Sequence, residues 1–213
     1  MLNKEQQGTA LLETLPLKTY KKHAPIYRPG ERADRIFILK KGRVKVGSHY
    51  DYPKAIIKNV LTTGELFGEL SMIGQLIRKD FATAMEDTEL YVVTTDVLKQ
   101  LMRQHQPLMS TMMKILGTRL IEMEQRLESF VCKSSRTRII DFLDRLVKRQ
   151  GQRVGYEMLV RGFFTHQEIA NITATSRQTV TTVLNELRNK NILTFNRRRL
   201  LIRDWQLLRA EVA

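Results

Sequence analysis

Seven apolar residues, Met109, Met113, Leu116, Leu120, Met123, Leu127 and Phe130, follow one another at alternating steps of four and three. A strand has a period of two and cannot gather them on one face, whereas a helix presents them as a single stripe. Met113, Leu120 and Leu127 take heptad position a, and Met109, Leu116, Met123 and Phe130 take position d, which predicts a two-stranded coiled coil. Pro107 suits the start of this helix, which runs to about Cys132. Met112 and Ile115 lie off the seam and are expected to pack on the helix's own domain. In a parallel pair, Arg119 at g faces Glu124 at e of the partner, a rim pair contributing ~0.2–1 kcal/mol. The seam predicts a homodimer and divides the chain into residues 1–107, a dimerisation helix 108–132, and residues 133–213.

Before the seam the pattern is that of short strands. Apolar β-formers cluster or alternate from Tyr20 to Val93 (Ile36 to Leu39, Val44 to Val46, Ile56-Ile57, Leu90 to Val93), with turn signals between them at Pro29-Gly30, Lys41-Gly42, Pro53, Thr63-Gly64 and Gly68. Many short strands with regularly placed glycines predict an antiparallel barrel or jelly roll. Asp96 is the expected N-cap of a short helix, Val97 to His105.

After the seam, Ser134 or Ser135 caps a helix reaching Arg149, with Ile139, Ile140, Phe142, Leu143, Leu146 and Val147 inward; residues 151–162 read as loop and short strand. Residues 165–188 then read THQEIANITATSRQTVTTVLNELR. Thr165 followed three residues later by Glu168 is a capping box, and Ile169 and Ile172 give the first helix an inward face. Thr173 to Thr175 connect it to a second helix capped by Ser176, with Val180, Val183, Leu184 and Leu187 inward. Two short helices joined this tightly predict a helix-turn-helix. Beyond them, Ile192 to Phe195 and Leu200 to Ile202 flank Asn196 to Arg199, a hairpin with a basic tip that makes the wing of a winged helix. The fold class is α+β: an N-terminal antiparallel β-roll, a long helix and a C-terminal winged helix-turn-helix.

Charge supports a polyanionic partner. The net charge is +14, and residues 130–213 hold 16 Lys/Arg against 7 Asp/Glu. The first turn of the second helix of the motif holds Arg177, Gln178 and Thr179 and, one turn later, Thr181 and Thr182. This end of a recognition helix reaches base edges of double-stranded DNA; arginine pairs with guanine, and glutamine with adenine, through two bonds at once. Thr165, Ser176, Thr179, Arg197, Arg198 and Arg199 suit phosphates, which position without specifying. No stretch approaches the roughly 20 apolar residues of a membrane span. MLNKEQQGTALLETL lacks a basic start and apolar core, so the expected location is the cytoplasm, with no membrane partner. Cys132 is the lone cysteine, and His23, His49, His105 and His166 form no close pair. Neither metal nor cofactor is expected, and the histidine cluster of a cupin-like enzyme is missing, so no catalytic residue is assigned.

The chain resembles the CRP/FNR superfamily of bacterial transcription regulators over nearly its whole length. The resemblance rests on Gly30-Glu31, Asp34 and Phe37, on Lys41 to Val46, on Phe67-Gly68-Glu69-Leu70, and on Thr165 to Leu187 with Ser176-Arg177-Gln178-Thr179-Val180. It implies a homodimer on a near-palindromic promoter site, more often an activator that also contacts RNA polymerase. It narrows the base-reading positions to Arg177, Gln178 and Thr182. It further implies an effector pocket at Gly68, Glu69, Leu70, Arg78, Lys79, Met123 and Glu124. Glu69 and Arg78 match the family's ribose and phosphate contacts. Lys79 stands where a small hydroxyl is expected, Asp80 brings a negative charge beside it, and Met123 and Glu124 replace two base-contacting hydroxyls. The expectation is DNA binding independent of cyclic AMP, with the alternative of a β-roll gated by a cyclic nucleotide or another anion. The family's turn often has glycine where this chain has Ala174.

Overall fold

The computed structural model describes residues 14–49, 55–196 and 198–212. The chain divides into two compact units, up to Gly117 and from Thr118, so the boundary falls inside the long helix.

Among the described residues, the first unit holds eight strands: β1 (Leu17–Tyr20), β2 (Pro25–Tyr27), β3 (Arg35–Lys41), β4 (Val44–His49), β5 (Ala55–Leu61), β6 (Leu66–Phe67), β7 (Phe81–Ala84) and β8 (Thr88–Thr94). They form two four-stranded antiparallel sheets, ordered β1-β8-β3-β6 and β2-β7-β4-β5. The period of two explains how the first sheet serves two cores. Phe37, Leu39, Leu90 and Val92 point to the second sheet, meeting Tyr27, Val44, Val46, Leu61 and Ala82. The alternate residues Ile36 and Val93 point the other way, to the helices α1 (Thr95–Gln104) and α2 (Gln106–Cys132).

Strand β8 runs straight into α1, and the cap is Thr94 rather than Asp96. Thr94 keeps the extended backbone of the strand (φ −73°, ψ 152°), and its hydroxyl accepts from the Val97 amide. Asp96 falls inside the first turn, where its charge favours the helix's positive end. Along α2, Met112 is buried and Leu108 and Ile115 partly so, against Leu98 and Met102 of α1. The seam residues are largely exposed: Met113 is 65% exposed, Leu120 60% and Leu127 65%, with Met109, Met123 and Phe130 also exposed and Leu116 half-buried.

The second unit contains α3 (Ser135–Gln150), β9 (Gln152–Val154), β10 (Glu157–Arg161), α4 (His166–Thr173), α5 (Arg177–Asn189), β11 (Leu193–Phe195), β12 (Arg199–Ile202) and α6 (Trp205–Ala210). Ser134 is the cap of α3, its hydroxyl accepting from Thr137. The stretch read as loop and short strand is a hairpin, β9–β10, turning at Gly155 with φ 61°. It joins the wing strands in one sheet, ordered β11-β12-β10-β9. The six apolar residues assigned to α3 are all buried, and so are Val180, Val183, Leu184 and Leu187 of α5. In α4 the inward residues are Ile169, Ala170 and Thr173; Ile172 is only half-buried.

The turn between α4 and α5 pivots on Ala174, which adopts the left-handed conformation at φ 49°, ψ 52°. A Cβ makes that conformation costly, and glycine removes the cost. Ala174→Gly is expected to raise the unfolding free energy of this unit by about 0.5–1 kcal/mol in urea titration; a loss of stability contradicts the left-handed turn.

Candidate nucleic-acid interface and the β-roll cradle

The first turn of α5 is set by its cap. The Ser176 hydroxyl accepts from the Thr179 amide at 3.0 Å and lies 2.8 Å from the Thr179 hydroxyl. With Val180, Val183, Leu184 and Leu187 turned inward, Arg177, Gln178 and Thr182 occupy the outer face and are exposed. The amides of this turn carry the positive end of the helix dipole toward the same side. Thr165 completes the capping box of α4: its hydroxyl accepts from the Glu168 amide at 3.2 Å, while its own amide donates to the Glu168 carboxylate at 3.0 Å. At the wing tip, Asn196 Oδ1 accepts from the amides of Arg198 and Arg199, both at 2.9 Å, closing a tight turn that leaves both arginines exposed. Arg197 lies outside the described residues.

Three residues that shape this surface were missed by sequence reasoning. Arg138 of α3 donates to the carbonyls of Thr173 (2.9 Å), Ala174 (3.1 Å) and Lys133 (2.8 Å). Arg126 of α2 donates to the Ile172 carbonyl at 2.8 Å. Both guanidiniums lie over the Phe130 ring, 5.4 and 5.7 Å from its centre. The end of α4 is thereby fixed by two cations, as a helix C-terminus favours. His166 is the third. Its Nδ1 is 2.8 Å from the Thr181 hydroxyl, and its ring meets Phe195 of the wing edge-on at 5.5 Å. No local pattern announces the contacts with Ile172, Thr173, Ala174, Thr181 and Phe195, because those partners are 15 to 46 residues away.

In the first unit, Gly68 precedes a 3₁₀ turn, Glu69–Ile73, and holds φ 83°. A Cβ there would sit 2.9 Å from the Arg35 carbonyl and 3.0 Å from Arg78 Nη1, so glycine is required for the close approach. Arg78 is buried. Its Nη1 donates to the Gly68 carbonyl at 3.2 Å and its Nη2 to the Arg35 carbonyl, while its guanidinium stacks 4.4 Å from the centre of the Tyr27 ring. Tyr27, Phe37 and Phe67 form one aromatic cluster behind it. The structure thus joins Arg78 to Gly68, with Glu69 half-buried, Leu70 exposed and Lys79 exposed. Met123 and Glu124 are exposed residues of the second unit. A cavity of about 310 Å³ opens beside Arg78, walled by Ile26, Tyr27, Phe37 and Arg35 among others; of the expected pocket residues it includes Arg78 alone. Arg78 Nε is buried without a hydrogen-bond partner.

Asp80 is also buried, 3.8 Å from Lys58. Burial raises its carboxyl above the usual range, with Lys58 and Arg78 opposing the rise, and burial together with Asp80 raises the Tyr27 phenol. A carboxyl that holds its proton more tightly when folded contributes stability below its unfolded value, and that stability is lost as pH rises through the folded value. Asp80→Asn is expected to gain stability relative to the native chain as pH rises from about 4 to 7. Urea midpoints of the two proteins measured across that range check it, and a constant difference contradicts it.

A β-roll and a long helix joined to a winged helix-turn-helix, with an exposed arginine and glutamine on the capped second helix, define a DNA-binding regulator of transcription. The profile of the cyclic nucleotide-binding domain matches residues 17–105, and that of the Crp-like helix-turn-helix domain matches residues 137–211. The chain belongs to the CRP/FNR superfamily. It is 26% identical over 190 residues to the global nitrogen regulator of Synechocystis sp., covering 88% of this chain and 84% of the relative. It is 27% identical over 191 residues to the cyclic AMP receptor protein of Thermus thermophilus, covering 90% and 85%. A mutant of CooA from Carboxydothermus hydrogenoformans superposes with a TM-score of 0.81 at 26% identity, covering 96% of this chain and 90% of that one. Among the described residues no helix is long and apolar enough to cross a membrane, and no group of three or more metal-ligating side chains occurs.

Proposed function

We propose that the chain acts in the cytoplasm as a homodimer on a near-palindromic promoter site, reads it with Arg177, Gln178 and Thr182, and does so without cyclic AMP. The observation that carries the reading is the outer face of α5, where these three side chains are exposed on a helix whose inner face and cap are fully engaged. Thr165, Ser176, Thr179 and the wing arginines are assigned to phosphates. Because the hydroxyls of Thr165, Ser176 and Thr179 serve the caps, the free amides of the same helix ends carry part of that contact. The dimer is supported by the exposed seam from Met109 to Phe130, which in water favours a second copy of the same stripe. Activation through contact with RNA polymerase rests on the family.

Independence of cyclic AMP is supported by Arg78. Two of its nitrogens already serve backbone carbonyls and its face is stacked on Tyr27, so a phosphate must displace these partners. Asp80 adds a neighbouring acid that opposes a second anion. One relative is named a cyclic AMP receptor protein and another a global nitrogen regulator, so likeness to named relatives favours no single effector. A second reading, a β-roll gated by another anionic effector, draws on the cavity beside Arg78 and the unpartnered Nε.

Selection from a randomised duplex pool tests the DNA reading. The half-site is expected to keep a guanine opposite Arg177, and Arg177→Ala to cost roughly 1–3 kcal/mol of discrimination at that base. A selected site with no guanine preference overturns the assignment.

A further inference from the structure

His166 sits where three elements of the second unit meet. It is the first residue of α4, directly after the Thr165 cap. Its Nδ1 reaches the Thr181 hydroxyl on α5, and its ring lies edge-on to Phe195 of β11. The Thr181 hydroxyl has one proton, and it donates to the Arg177 carbonyl at 2.9 Å. The hydrogen on the His166–Thr181 contact therefore belongs to Nδ1, which leaves Nε2 as the basic nitrogen. Nδ1 is spent on holding α4 to α5, so any ligand of this ring must be met by Nε2.

The surroundings oppose a charge on the free ring. Burial, then Arg177, hold His166 below the ordinary histidine value, and the positive end of α4 acts in the same direction. Arg188, also on α5, lies over the Phe195 ring at 5.2 Å, and the acid of that helix, Glu186, is paired with Arg136, so Arg177 and Arg188 are the α5 charges set beside this corner. On α4 itself the nearby acid, Glu168, is directed back to Thr165. Phe195 is the contact from β11 and carries no charge. A phosphate brought to this corner reverses the balance, because an opposite charge within reach favours the protonated ring.

We propose, building on the DNA reading above, that His166 is a phosphate-anchoring residue that takes up a proton when the duplex docks. One solvent proton adds to Nε2, which then donates to a phosphate oxygen; Nδ1–H stays on Thr181, and no covalent bond to a heavy atom breaks. The imidazolium thus ties the backbone of the duplex to the helix that carries Arg177, one turn from the base-reading face. The uptake links affinity to pH: binding is strongest below the free ring's titration and is lost as pH rises through the value in the complex.

The test uses the full chain and a duplex recovered by the selection described above. Fluorescence anisotropy at fixed ionic strength is expected to show Kd rising about three- to tenfold per protomer between pH 6 and 8, the effect of up to one unit of titration shift. In His166→Gln, which keeps a hydrogen-bonding side chain but cannot titrate, the pH slope is expected to vanish. NMR titration of the native His166 ring, which needs no variant, is expected to move to higher pH in the complex. An unchanged ring titration on binding, or a slope retained in His166→Gln, overturns the proposal while leaving the DNA reading intact. Failure of the selected duplex to bind at any pH overturns both.

Discussion

A helix that ends where the chain must turn sharply leaves its last carbonyls in search of donors, and here Arg138 supplies three of its nitrogens to one corner. From α3 it reaches the carbonyls of Thr173 and Ala174 at the end of α4, and it also holds Lys133 at the start of its own helix. Arg126 adds Ile172. The α4–α5 turn depends on this clamp, because Ala174 must hold a left-handed backbone without the freedom of glycine. The exposed face of α5 is aimed by that turn. The same two arginines cover Phe130, the last residue of the apolar stripe, so the end of that stripe and the helix-turn-helix share one cationic cluster.

A third arginine shows the opposite use of the same chemistry. Arg78 is expected from the family resemblance to meet a phosphate, but its donors close a contact between the Gly68 turn and β3. The planar guanidinium lies on Tyr27, and the aromatic cluster behind it fills that part of the roll. An arginine so placed contributes to the rigidity of the frame whether or not an anion arrives. The β-roll then supplies a folded base for the long helix, with Met112 as the buried link on its inner stripe.

The parts of this arrangement that were legible in the sequence are those set by short-range rules. The seam was visible because its alternating steps fit one period and no other, and the caps at Ser134, Thr165 and Ser176 because capping chemistry acts over three residues. The cap of α1 was misplaced at Asp96 because a strand that feeds directly into a helix has no loop to mark the junction; Thr94 is the last extended residue. The β9–β10 hairpin was half-seen, its turn carried by Gly155 in a stretch too short for alternation to show. Arg138, Arg126 and His166 were invisible for a different reason. Their roles arise only when carbonyls and hydroxyls far along the chain are brought to them, and nothing in a neighbouring residue encodes that. The partners of Arg78 were hidden in the same way, with Arg35 standing 43 residues before it.

The central claim is that the face of α5 is ready for DNA with nothing bound in the β-roll. Its most direct test is the affinity of protein freed of nucleotides by unfolding and refolding, measured on its selected duplex with and without cyclic AMP. The account predicts specific binding in the range of roughly 10⁻⁸–10⁻¹¹ M for the stripped protein, with less than about a tenfold change on adding the nucleotide. An increase of about a hundredfold, corresponding to ~2.8 kcal/mol of coupling, contradicts it.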